Sequence, residues 1–233
     1  MLNIIYCSIF VISLWLPFVI LHCHWYGLSF LQVFISLFNA INCLICTWEI
    51  SLYHNIEWIQ RHHQSLQERF GAKKLPPGFV LLDHAPSLSS VLTLSHWAQI
   101  WSTYALLDPS YADSNSFGFW IDVGNGHFFL LPSLLLSICM TFDISIGSPR
   151  FIAVICIIAN YVMMHGTFLY FASYLFHRRY HGCSMGSKFT VAFANGLWII
   201  FPSLAIYILY QVIDTNRWDI VRHGNLKRYA DNF

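Results

Sequence analysis

The sequence predicts an all-α, polytopic membrane helix bundle with about five transmembrane helices and an interfacial helix between spans two and three. Three observations carry this. Of 233 residues, 57% are hydrophobic and only 10% charged, whereas soluble domains carry about 25% charged residues. The mean hydropathy is +0.55. Several apolar runs also reach the roughly 20 residues that a bilayer core demands of a helix. Lipid is the expected solvent, and the whole chain, 1–233, reads as a single integral membrane domain.

The first span is Ile4–Leu21, "IIYCSIFVISLWLPFVIL". No Lys or Arg precedes it and no small-residue cleavage site follows. It is expected as a retained span rather than a signal peptide. "HCHWYG" then places Trp25 and Tyr26 at an interface, where such rings are favoured. Span two is Leu28–Tyr53, span three Phe117–Phe142, span four Phe151–Phe176 and span five Phe189–Ile213. Gly147 and Pro149 separate spans three and four, and "HRRYHGCSMGSK" separates four and five. The insertion Asn55–Ser116 is polar, with a charged first part ending in Pro76-Pro77-Gly78. Its second part, "SLSSVLTLSHWAQIWSTYALL", sets Leu92, Trp97, Ile100, Trp101 and Tyr104 at helical spacing and reads as an interfacial helix. The tail, residues 214–233, reads as solvated.

Charge excludes some functions and leaves orientation open. A net charge of +1 offers no basic surface for a phosphate backbone, so no nucleic-acid partner is expected. Arg61, Arg69, Lys73, Lys74, Arg178, Arg179 and Lys188 fall on one side of a five-span topology. Arg150, Arg217, Arg222, Lys227 and Arg228 fall on the other, an asymmetry too small to orient the chain. Most of the seven cysteines lie in apolar runs as small hydrophobes. Cys43 and Cys46 form a C-x-x-C, but no second pair follows to complete a zinc site.

Ionisable residues inside spans are costly and mark functional sites. Glu49, near the end of span two, and Asp122, near the start of span three, are the candidate catalytic residues. Asn39, Asn42, Cys46, Glu49 and Tyr53 follow steps of three or four and form one polar stripe. Asn125 lies one turn from Asp122. Gly124 and Gly126 permit close approach of a helix or ligand. Span four adds Asn160, His165, Thr167 and Tyr170, and span five adds Asn195 and Trp198. The plain reading of each polar group is a helix–helix contact. The functional reading joins Asn42, Cys46, Asn125, His165, Tyr170, Asn195 and Trp198 around the two carboxyl groups as substrate-binding residues. A carboxylic acid held protonated beside an apolar cavity can protonate an alkene. The π-face of Trp198 or Tyr170 can stabilise the cation that results.

"IWSTYALLDPSYADSNSFGFWIDVGNG" resembles the emopamil-binding protein family, whose members carry an LWxxYAxxDxRY-like run before a span with a functional carboxylate. "HGTFLYFASYLF" and "FANGLWIIFP" are similar to that family's YGxxLYF and FxNxLWxxxP segments, in its order and spacing. The resemblance runs from Trp97 to Gln211. It implies a five-helix EXPERA-type bundle and, from the founding members, a sterol Δ8–Δ7 isomerase of the endoplasmic reticulum in a eukaryotic cell. It implies no cofactor, neither metal nor nucleotide. On this resemblance Asp122 takes the place of a catalytic Glu, and Asn195 and Trp198 that of residues holding a bound cation. His165 replaces the Tyr of YGxxLYF. Span two departs from the pattern. Aligned on Trp48, Asn42 and Cys46 stand where the family has a His and a Glu, and Glu49 offers a carboxylate one turn further on.

The expected activity is therefore a sterol or isoprenoid double-bond isomerase. Its expected partners are that apolar substrate, membrane lipid and, optionally, a second copy of the chain in a homodimer. The alternative is a sterol- or lipid-binding membrane protein without turnover. A di-iron desaturase, suggested by twelve histidines and by His177 and His181, lacks the boxed histidine clusters that two metals require.

Overall fold

A computed structural model describes residues 3–71, 88–142 and 147–222. Lys73, Lys74, Pro76-Pro77-Gly78, Lys227 and Arg228 lie outside the described residues. Among the described residues the structure is helical, with no strand. The long helices are α1 (Asn3–Tyr26), α2 (Phe30–His54), α6 (Phe117–Thr141), α7 (Pro149–Phe176) and α8 (Met185–Thr215). All five are long and apolar enough to cross a membrane, which makes this an integral multi-pass membrane protein. The shorter helices are α3 (Ile56–Phe70), α4 (Leu88–Val91), α5 (Leu94–Tyr104) and α9 (Asp219–Arg222), with a 3-10 turn at Pro109–Ala112.

Serine opens four of the five spans. The hydroxyls of Ser29, Ser116, Ser148 and Ser184 accept from the amides of Gln32, Phe119, Phe151 and Ser187. Each such bond satisfies one of the first-turn N–H groups that a helix leaves unpaired. At α7 the cap is followed by Pro149, whose missing N–H costs nothing at that position. Gly27 turns the chain between α1 and α2 at φ 83, a left-handed conformation that glycine adopts without a Cβ penalty.

The spans pack as two intimate pairs, α2 with α6 and α7 with α8, with α1 outside the first pair. The polar stripe of α2 explains the first pair. Asn39 donates to Ser137 Oγ at 3.0 Å and Asn42 to Ser133 Oγ at 3.0 Å. Where the helices come closest, Gly126 leaves room for the α2 backbone: a Cβ there would meet Glu49 Cβ at 2.6 Å and Cys46 O at 3.0 Å. Gly124, expected to serve the same purpose, faces open space.

The insertion differs from its expected form. The amphipathic segment breaks at Leu92–Thr93 into α4 and α5, and α5 packs on α2 and α3. Trp97, Ile100 and Trp101 are buried there, and Trp101 Nε1 donates to Trp48 O at 2.6 Å. The charged first part forms α3, whose Ile59 and His63 are buried against its neighbours.

The described part of the tail is not solvated throughout: residues 214–217 are exposed, but the chain then turns back onto the bundle. Trp218, Val221 and Arg222 are buried, and Arg222 Nη2 donates to Cys139 O at 2.8 Å and Phe142 O at 2.7 Å. Arg150 Nε likewise donates to Ile213 O at 2.8 Å. These cations complement the unpaired carbonyls and negative dipole ends of α6 and α8, Arg222 from a buried position and Arg150 from an exposed one.

Candidate functional site

At the end of the bundle where α2 stops and α6 begins, the helices part around a cavity of about 300 Å³. That volume is at the small end of the range for ligand sites, about 300–1,000 Å³. Glu49 reaches it from the penultimate turn of α2, and Asp122 and Asn125 from the second turn of α6. Tyr170 enters from α7, and Asn195 and Trp198 from α8. So six of the nine residues expected to form the site line one cavity.

The carboxyl groups face each other's field without a cation in the lining, which contains no Lys, Arg or His. Glu49 is 3% exposed, and its carboxyl group lies against the Cys46 thiol and the Asn125 amide. Its Oε2 has no protein partner. Asp122 sits inside the bundle but keeps part of its surface accessible, because it faces the cavity. Tyr111 is its neighbour in the cavity wall. Trp48 also lines the cavity with an unpaired Nε1. Buried polar atoms are rarely left unsatisfied, so these two point to a ligand or water in the cavity.

The remaining three expected residues are placed differently. Asn42 stands behind Trp198 and accepts from its Nε1 at 2.8 Å. It positions the indole rather than lining the cavity. Cys46 is wholly buried, with its thiol directed at Asn125 O at 3.7 Å. Both are committed to the α2–α6 seam, because close packing at Gly126 closes that seam to a ligand. His165 is on the outer face of α7, exposed and stacked on Tyr161 at 5.8 Å. At about 100° per residue it is turned roughly 140–160° away from Thr167 and Tyr170, which do line the cavity. Asn160, part of the same stripe, donates back to Cys156 O at 2.8 Å and stays within α7.

Sequence reasoning missed the wall supplied by the insertion. Trp101, Tyr104 and Tyr111 of the insertion, with Trp48 of α2, complete an aromatic enclosure with Tyr170 and Trp198. Burial pushes the Tyr104 and Tyr111 hydroxyls well above the ordinary phenol value, so both remain proton donors. It also missed Asp108, which is fully buried in the run "YALLDP". Asp108 Oδ2 accepts from Tyr170 OH at 2.7 Å and from Arg179 Nη1 at 3.2 Å. Arg179 is drawn in by this carboxylate, with 14% of its side chain exposed. A lone Asp between apolar residues and a following Arg pair were the available signals.

The histidine pairs that raised a metal reading are on separate elements. His62 and His63 lie on α3, where His62 Nδ1 meets Ser102 Oγ at 2.8 Å, and His177 and His181 lie in the α7–α8 connection. Among the described residues no group of three or more His, Cys, Asp or Glu side chains is arranged to hold a metal ion. No protein-family model, curated protein or solved structure matches the chain.

Proposed function

We propose that this protein is a membrane isomerase that moves a carbon–carbon double bond in a sterol or other isoprenoid by acid–base chemistry. The observation that carries this is the convergence of Glu49 and Asp122, from two different spans, on one aromatic-walled cavity. An apolar alkene fits such walls, and the two carboxyl groups supply the acid and the base. The carboxylic acid adds its proton to one alkene carbon, and the π electrons become the new C–H bond. The neighbouring carbon becomes a cation, which the faces of Trp198 and the tyrosines stabilise. The other carboxylate removes a proton from the carbon beyond. That C–H electron pair becomes the shifted double bond, and nothing is consumed. Asp122 is the proposed donor, because it lines the cavity and stays partly accessible there, whereas Glu49 is buried. The resemblance to emopamil-binding proteins supports the substrate class, the endoplasmic-reticulum membrane as its place in a eukaryotic cell, and homodimers as an assembly to examine.

The test is isomerisation of a panel of unsaturated sterols and isoprenoids in proteoliposomes made in deuterated water. One deuterium in the shifted product, lost in Asp122→Asn, is the expected result. Asp122→Asn keeps shape and hydrogen bonding but cannot cycle a proton, and Asp122→Glu should recover part of the turnover. Full turnover in Asp122→Asn sinks the mechanism. A second reading, a lipid-binding protein without turnover, is favoured by one observation. Asn42 and Cys46, at the positions of the family's His and Glu, are tied into the α2–α6 seam. Saturable sterol binding with no product from any substrate would select it.

A further inference from the structure

We infer that Asp108 and Arg179 are positioning residues for the cavity, acting through Tyr170. The inference rests on the reading that the cavity binds a ligand.

Asp108 is fully buried and meets three donors: the amide of Ser110 at 3.1 Å, Tyr170 OH at 2.7 Å and Arg179 Nη1 at 3.2 Å. Arg179 reaches it because the chain turns sharply after α7, with Arg178 at φ 52. Its other Nη donates to Ser173 Oγ at 2.9 Å. Arg179, Ser110 and Ser173 line a second, polar cavity of about 480 Å³. The ion pair therefore stands as a partition, with its cation beside the polar cavity and Tyr170 on the apolar side. A carboxylate buried this fully depends on these donors to satisfy its oxygens.

Tyr170 has one proton and gives it to Asp108, so on the cavity side its oxygen can only accept. The carboxylate thereby fixes where the phenol group of Tyr170 stands in the cavity wall. Neither Glu49 nor Asp122 takes part in these bonds, so their loss should alter how a ligand is held while both acids remain.

The experiment is a double-mutant cycle on the full chain in nanodiscs, with binding of N,N-dimethyldodecylamine read by tryptophan fluorescence. The variants are Asp108→Asn, Tyr170→Phe and the two together, with thermal melting followed in parallel. Tyr170→Phe removes one oxygen and leaves the ion pair intact, so it keeps the test open if Asp108→Asn fails to fold. Each single variant should bind the amine about tenfold more weakly, and the double variant no more weakly than either, because residues sharing one network are not additive. Multiplying losses, or unchanged affinity in folded Tyr170→Phe, would overturn the inference while leaving the cavity reading intact. No amine binding by the parent protein would overturn the cavity reading and this inference with it.

Discussion

Replacing Gly126 by alanine probes the contact that sets Glu49 against α6. A Cβ at this position would lie 2.6 Å from Glu49 Cβ, 3.0 Å from Cys46 O and 3.0 Å from Ile50 N. Optimal heavy-atom separations are about 3.5–4.0 Å, so the overlap is roughly 1 Å against one atom and somewhat less against two. Two of the three are backbone atoms of α2, which cannot rotate aside as a side chain could. The helices must separate, at the upper end of the roughly 1–3 kcal/mol typical of overpacking. Alanine recovers about 1 kcal/mol of helix propensity over glycine. The expected net loss is therefore about 2 kcal/mol in stability. The same separation draws Glu49 away from Asp122, so amine binding should weaken as well. Gly124→Ala is the internal control: nothing lies within 4 Å of its Cβ position, so it should be neutral or gain up to about 1 kcal/mol. Reversible denaturation in mixed micelles, followed by tryptophan fluorescence, measures both. Equal stability of Gly126→Ala and Gly124→Ala would refute the close α2–α6 approach.

Trp198→Phe keeps a π-face but strips Asn42 of its Nε1 donor. It should cost about 1–3 kcal/mol in stability and leave amine affinity near that of the parent. Trp198→Leu should lose about 0.5–2 kcal/mol of amine affinity in addition, and unchanged affinity in that variant would remove the indole from the site. His165→Phe, on the outer face of α7, should change stability by no more than about 0.5 kcal/mol and leave binding alone. A large loss of binding would mean that α7 is rotated. The fourth prediction concerns pH. Burial holds His62, His63 and His96 below the ordinary imidazole value of 6.5, with the neighbouring His63 adding to the effect on His62. Below pH 6.5 the unfolded chain binds more protons than the folded one, so the stability these residues lend is complete above that pH and lost as pH falls. Hydrogen exchange in α3 and α5, corrected for intrinsic rate, should accelerate between about pH 7.5 and about pH 5.5. Constant protection across that interval would contradict it.

The sequence by itself determined the membrane class and the five spans. A run of apolar residues long enough to cross a bilayer is a local property, which composition and length reveal without knowing any neighbour. Span three was expected at Phe117–Phe142 and forms at Phe117–Thr141; the others differ by a few residues at their ends, where serine caps and interfacial rings extend the helices. The two carboxyl groups were equally legible, because charge inside an apolar run stands out whatever it touches. Which polar residues meet was decided only by the tertiary structure. Periodicity put Asn42, Cys46 and Glu49 on one face, but only the approach of α6 at Gly126 consigned the first two to the helix seam and left Glu49 in the cavity. On α7, periodicity could not say which side of the helix faces inward, and Tyr170 and His165 parted accordingly. The aromatic wall and the Asp108–Arg179 pair depend on α5 and the α7–α8 connection folding back onto the bundle. Those contacts join residues 71 positions apart, and a pattern read along the chain has no means of registering a carboxylate and a guanidinium that become neighbours only when the spans assemble.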